Sequence, residues 1–112
     1  MSAHQCLDQE IINMLKDVME DEFSVLVETY LNDGDVRINT LRDTLAAQDA
    51  DAVSRCAHSL KGSSSNVGAA YLANLCLEVE TRALDGQLAG LELYVDKIEQ
   101  EFIVVKQALS EI

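Results

Sequence analysis

The sequence predicts an all-α protein, an up-down antiparallel four-helix bundle with an additional short N-terminal helix. Three observations predict it. Proline is absent and only five glycines occur in 112 residues, so helices meet few interruptions and a many-turned β protein is disfavoured. The chain is 48% hydrophobic but only 4% aromatic, with no tryptophan, which leaves a core of aliphatic side chains and alanine. Apolar residues recur at helical three-and-four spacing in five successive segments, and no strand-like alternation competes with them. A chain of this length makes one domain, 1–112, just large enough to bury a single core.

Residues 1–6 are a short polar lead-in that includes His4, read as a frayed tail in which a histidine does nothing. From Leu7, the positions Leu7, Ile11, Met14 or Leu15 and Val18 mark a short first helix, with Asp8 and Glu10 at the positive end of its dipole. Met19-Glu20-Asp21-Glu22 opens a longer segment. Its stripe of Phe23, Leu26, Val27, Tyr30, Leu31, Ile38, Leu41 and Leu45 runs to about Gln48. Asn32-Asp33-Gly34-Asp35 interrupts the good helix formers there, but the stripe resumes in phase, which predicts one long helix with a weak spot. Asp49 is the candidate N-cap of a third helix that ends near Asn66 to Gly68. Leu72, Leu75, Cys76, Val79 and Ala83 mark a fourth helix, which stops at Asp85-Gly86. In the fifth, Leu91, Val95, Ile98, Phe102, Val105 and Leu109 alternate steps of four and three, the seam of a bundle.

Twenty acids against eight bases give a formal net charge of −12. Nucleic acid and anionic membrane are poor partners for such a surface, because binding them requires neutralising phosphates; solubility and a monomeric state are favoured. Cys6, Cys56 and Cys76 are an odd, scattered set without a CxxC pair, so neither a disulfide framework nor a zinc site is expected. With no leader and no long apolar run, the expected location is the cytoplasm.

The chemistry concentrates in Cys56-Ala57-His58-Ser59-Leu60-Lys61-Gly62-Ser63-Ser64-Ser65-Asn66-Val67-Gly68. Wound at about 100° per residue, Val53, Cys56, Ala57, Leu60, Ser64 and Val67 share one side while His58 points away from them. Lys61, Gly62 and Ser65 follow on the His58 side, at the spacings that make helical neighbours. An exposed histidine is ordinarily just surface, but its neighbours argue otherwise. Lys61 opposes protonation of His58 and stabilises an anion attached to it. Gly62, in mid-helix, costs about 1 kcal/mol relative to alanine, a sacrifice that suits close approach by another molecule. Metal binding would want a ligand four residues on, where Gly62 stands. The serines form neither a nucleophile elbow nor an S-x-x-K pattern, and the glycines form no P-loop. The role left for a cation-flanked, exposed imidazole is nucleophile and carrier for a phosphoryl group.

Ala57-His58-Ser59-Leu60-Lys61-Gly62-Ser63-Ser64, followed by Val67-Gly68-Ala69, resembles the signature of histidine-containing phosphotransfer (HPt) domains. Less closely, it resembles the phosphate-accepting domain of chemotaxis kinases, which shares the His-x-x-Lys-Gly core. The resemblance implies a phosphorelay carrier with His58 phosphorylated on a ring nitrogen, passing the group between aspartates of receiver domains, one in a hybrid sensor kinase and one in a response regulator. Lys61 matches the lysine beside the phosphoryl group and Gly62 the glycine that admits the partner. Ser65, and Arg55 at about 60° from His58 around the helix, are further candidates for docking. No cofactor of its own is implied; Mg2+ belongs to the receiver, and no kinase domain accompanies the bundle. The competing reading is a helical adaptor that binds partners through its bundle surface and carries no phosphate.

Overall fold

The computed structural model describes residues 5–112. Five helices follow one another, α1 (Gln9–Met19), α2 (Glu22–Ala46), α3 (Ala50–Asn66), α4 (Ala70–Leu84) and α5 (Leu91–Ser110), and no strand occurs among the described residues. α2 to α5 form a ring in which each helix packs on its neighbours in sequence and α5 closes on α2. Short connections make successive helices antiparallel. No helix among these residues is long and apolar enough to cross a membrane.

The predicted stripes of the three C-terminal helices lie in the core, with Tyr30, Ile38, Leu41 and Leu45 of α2. Val53, Cys56, Ala57, Leu60 and Val67 from the third helical segment, Leu72, Leu75, Cys76, Val79 and Ala83 from α4, and the whole α5 seam from Leu91 to Leu109 are buried. Asp49 caps α3 as expected, its carboxylate accepting the Ala52 N–H at 3.1 Å. At the other end Gly68, at φ 81°, turns the chain into α4. α2 and α3 are also tied through their interior, by a buried hydrogen bond of 2.9 Å between the Tyr30 hydroxyl and Ser64 Oγ. Burial pushes the Tyr30 phenol up to about 12.

α2 is one continuous helix through Gly34, and the reason is tertiary. The Phe102 ring of α5 stands against the Gly34 backbone, where a Cβ would overlap its Cε1 and Cζ atoms. The weak spot in propensity is a notch that receives an aromatic ring.

Two expectations need correction at the N-terminus. Residues 1–4, including His4, lie outside the described residues, but Cys6, placed with the frayed tail, packs with Leu7 against the core. The Asp8 N–H donates to Gly68 O at 2.8 Å, an anchor next to Cys6 and Leu7 where they meet the bundle. In α1 the buried side is also rotated. Ile12 is fully buried and Ile11, Leu15 and Met19 partly so, while Met14 and Val18 of the predicted stripe are exposed. α1 lies outside the ring, against α2 and the α3–α4 turn, and so buries a face rotated from the one its own spacing suggests.

Candidate functional site

α3 and α4 make the most extensive contact in the bundle. Small buried residues suit it: Ser54 and Ala57 on α3, Ala73 and Cys76 on α4. His58 and Lys61 occupy the margin of α3 that faces α4, one turn apart. The His58 side chain is 65% exposed, so the apolar stripe turns it to water as the spacing predicts.

Across the groove stands Glu80 of α4, a residue sequence reasoning missed. Its Oε2 lies 2.9 Å from His58 Nδ1, and its Oε1 accepts from Lys61 Nζ at 2.8 Å. Only 14% of the Glu80 side chain is exposed. Burial pushes its carboxyl up, but the hydrogen bonds and charges of Lys61 and His58 outweigh burial and hold it below the ordinary carboxylate value. Glu80 is therefore an anion that only accepts hydrogen bonds. The proton of neutral His58 accordingly sits on Nδ1, and the lone pair of Nε2 is left pointing outward. A nucleophilic nitrogen is thus presented in one tautomer and one ring orientation.

The approach to that nitrogen is open. Gly62 is exposed in the middle of α3, and a Cβ built on it would meet nothing within 4 Å. The bundle has no internal use for a glycine here, in contrast to Gly34. Ser65 is exposed further along the same face, its carbonyl accepting the Gly68 N–H at 3.0 Å. Arg55 pairs with Asp51 at 2.8 Å on the α3 surface and forms no hydrogen bond or ion pair with His58 or Glu80. Such an exposed pair contributes little to stability, so Arg55 is held lightly. The structure thus brings His58 and Lys61 together through Glu80, sets Gly62 and Ser65 on the open face, and leaves Arg55 beside them. Cys56 and Cys76 are buried free thiols raised by burial above the usual thiol range, Cys76 to about 12, and are inert. Among the described residues no group of three or more His, Cys, Asp or Glu side chains is arranged to hold a metal ion.

Residues 25–112 match the Hpt domain family, and they contain all of α3, α4 and α5 and nearly all of α2. The chain belongs to the Hpt family. A search of curated proteins finds no match to this Hpt chain. Among solved structures it is similar to the histidine-containing phosphotransfer protein B (HptB) of Pseudomonas aeruginosa PAO1, with a TM-score of 0.94 and 38% identity over 97% of this chain and 95% of that one. It also shares its fold with the histidine-containing phosphotransfer protein ZmHP2 of maize, at a TM-score of 0.83 and 24% identity over 95% of this chain and 87% of that one. α1 lies wholly before the family match, as the additional helix set against the ring.

Proposed function

We propose that in this histidine phosphotransfer carrier the phosphoryl group rides on Nε2 of His58. The observation that carries the assignment is the Glu80 hydrogen bond, which occupies Nδ1 and leaves the outward Nε2 as the free nucleophile. In the step we envisage, the Nε2 lone pair attacks the phosphorus of a receiver's phospho-aspartate in line. An N–P bond forms, the P–O bond to the aspartyl carboxylate breaks, and that carboxylate departs with the bonding pair. His58 keeps its Nδ1 proton throughout, and the positive charge gained by the ring is met by Glu80. Lys61, on the same carboxylate, is within a side-chain swing of the phosphoryl oxygens. Delivery to a second receiver is the reverse step.

The partners are receiver domains, one of a hybrid sensor kinase and one of a response regulator. The receiver supplies the Mg2+ that offsets phosphoryl charge, and the bundle supplies position and access. Gly62 clears the approach, and Ser65 and Arg55 border the docking face. The chain acts as a monomeric single domain, 1–112, in the cytoplasm; its free cysteines suit that reducing compartment.

The test is transfer of label from a phosphorylated receiver to the wild-type chain and to His58→Gln. The wild type gains acid-labile, alkali-stable phosphate, with 15N–31P coupling at Nε2. The variant, folded by circular dichroism, gains none. Acid-labile label retained on His58→Gln would sink the assignment.

A further inference from the structure

We infer that Leu77 and Leu84 of α4 are the apolar anchors on which a receiver domain docks, an inference that rests on His58 being the phosphoryl acceptor. Both are largely wasted on the fold, at 45% and 69% exposed. Their place on α4 is set by Glu80, which touches His58 and Lys61 of α3. Leu77 precedes Glu80 by one turn and Leu84 follows it by one, so the two leucines flank it on the α3 side of the helix. Along the axis of α4 they lie about 4.5 Å and about 6 Å from Glu80. The opposite margin of α4 is committed to α5, where Arg82 donates to the Tyr94 hydroxyl at 3.1 Å.

A phosphoryl donor cannot reach His58 without covering this margin. A specific protein interface takes about 800 Å² from each partner, a disc of about 16 Å radius, and Leu77 and Leu84 fall well inside such a disc centred on His58. The centre of an interface is normally apolar and poor in charge. The exposed face of α3 offers none of that: around His58 it carries Asp51, Arg55, Gly62, Ser65 and Asn66, with half-buried Ser59 beside them. On the α2 side of α3 the groove around Val36 is rimmed by Asp33, Arg37 and Arg55, and the apolar groove along Leu26, Tyr30 and Val67 opens at Ser63 and Asn66, more than one helical turn beyond His58. On the α4 side, toward which the His58 ring leans, Leu77 and Leu84 put exposed apolar surface on both sides of the carboxylate that holds the reacting imidazole. The occupant is a receiver domain, because the group that reacts with His58 is carried on one.

The experiment compares the full-length wild-type chain with the Leu77→Ala/Leu84→Ala double variant. Alanine preserves helix propensity, and thermal melts verify folding. The donors are a phosphorylated receiver domain that labels the wild type and phosphoramidate, a small donor that needs no docking surface. Transfer from the receiver is expected to fall about tenfold in kcat/KM, from loss of two interfacial apolar anchors, with labelling by phosphoramidate unchanged. Leu93→Ala, on α5 and 67% exposed in the wild type, serves as control and leaves both rates unchanged. Unchanged receiver transfer in the double variant overturns the inference, as does an equal loss in Leu93→Ala. So does sedimentation showing a wild-type dimer that the double variant splits, because a second copy would then own the patch. Should His58→Gln lose its label while the double variant transfers normally, docking on α4 fails and the acceptor assignment stands. Retained label on His58→Gln removes the acceptor assignment itself.

Discussion

Replacing Glu80 by alanine separates what His58 does alone from what its setting does. Two hydrogen bonds end on this carboxylate, at 2.9 Å from His58 Nδ1 and 2.8 Å from Lys61 Nζ, and both disappear. A hydrogen bond to a charged group is worth about 1.5–3 kcal/mol, and the solvent-exposed His58 ring places its bond at the low end. That energy holds the ring in one orientation and its proton on Nδ1. At about 1.4 kcal/mol per factor of ten, its loss lowers the population ready for attack, and hence the transfer rate, about tenfold. The rate is measured by rapid quench with a phosphorylated receiver, and the tautomer independently by long-range 1H–15N NMR of the ring. The alanine variant should show proton density moving to Nε2 as the rate falls. Glu80→Gln should recover part of both, since one amide oxygen serves His58 but the amide NH2 opposes Lys61. A tautomer still locked on Nδ1 in Glu80→Ala, with transfer at the wild-type rate, would refute the positioning argument. The sign of the pH dependence follows from the same carboxylate. Glu80 is held below the ordinary 4.5, so its stabilisation is fully present above that value and is lost as pH falls through the lower folded value.

Two glycines in helices should respond in opposite ways. Gly34→Ala puts a methyl into the Phe102 ring and should destabilise the chain by about 1–3 kcal/mol of overpacking, read as a lower urea midpoint, with His58 labelling by phosphoramidate intact. Gly62→Ala meets nothing and should stabilise by about 1 kcal/mol, whereas Gly62→Gln should keep its stability and slow transfer from a receiver by an order of magnitude or more. Unimpaired transfer in Gly62→Gln would show that the glycine serves no approach.

These contrasts mark what one dimension of sequence holds. The α5 seam from Leu91 to Leu109 and the α3 stripe from Val53 to Val67 were legible because helical periodicity alone decides which side of a bundle helix is dry. His58, Lys61 and Gly62 were legible for the same reason, being neighbours on one helix. Glu80 was not. It is one acid among twenty, at the edge of the α4 stripe beside Val79, and its meeting with His58 depends on how α3 and α4 are rotated against each other. Gly34 read as a lapse in propensity because the ring that needs the space comes from residue 102. α1 was misjudged in its buried face because it does not pack as a member of the ring, and Val18, apolar but exposed, obeys no single-helix rule.

The anchor between Asp8 and Gly68 has a dynamic consequence. α1 commits one fully buried side chain, Ile12, and is pinned at its start by a single backbone hydrogen bond, while a positive-φ glycine packs directly on the Asp8 backbone. An element held by so few buried side chains is expected to open at a lower free energy than the four-helix ring. Hydrogen exchange at the Asp8 amide, expected to be faster than at the core amides of α3 to α5, is the measurement that checks it.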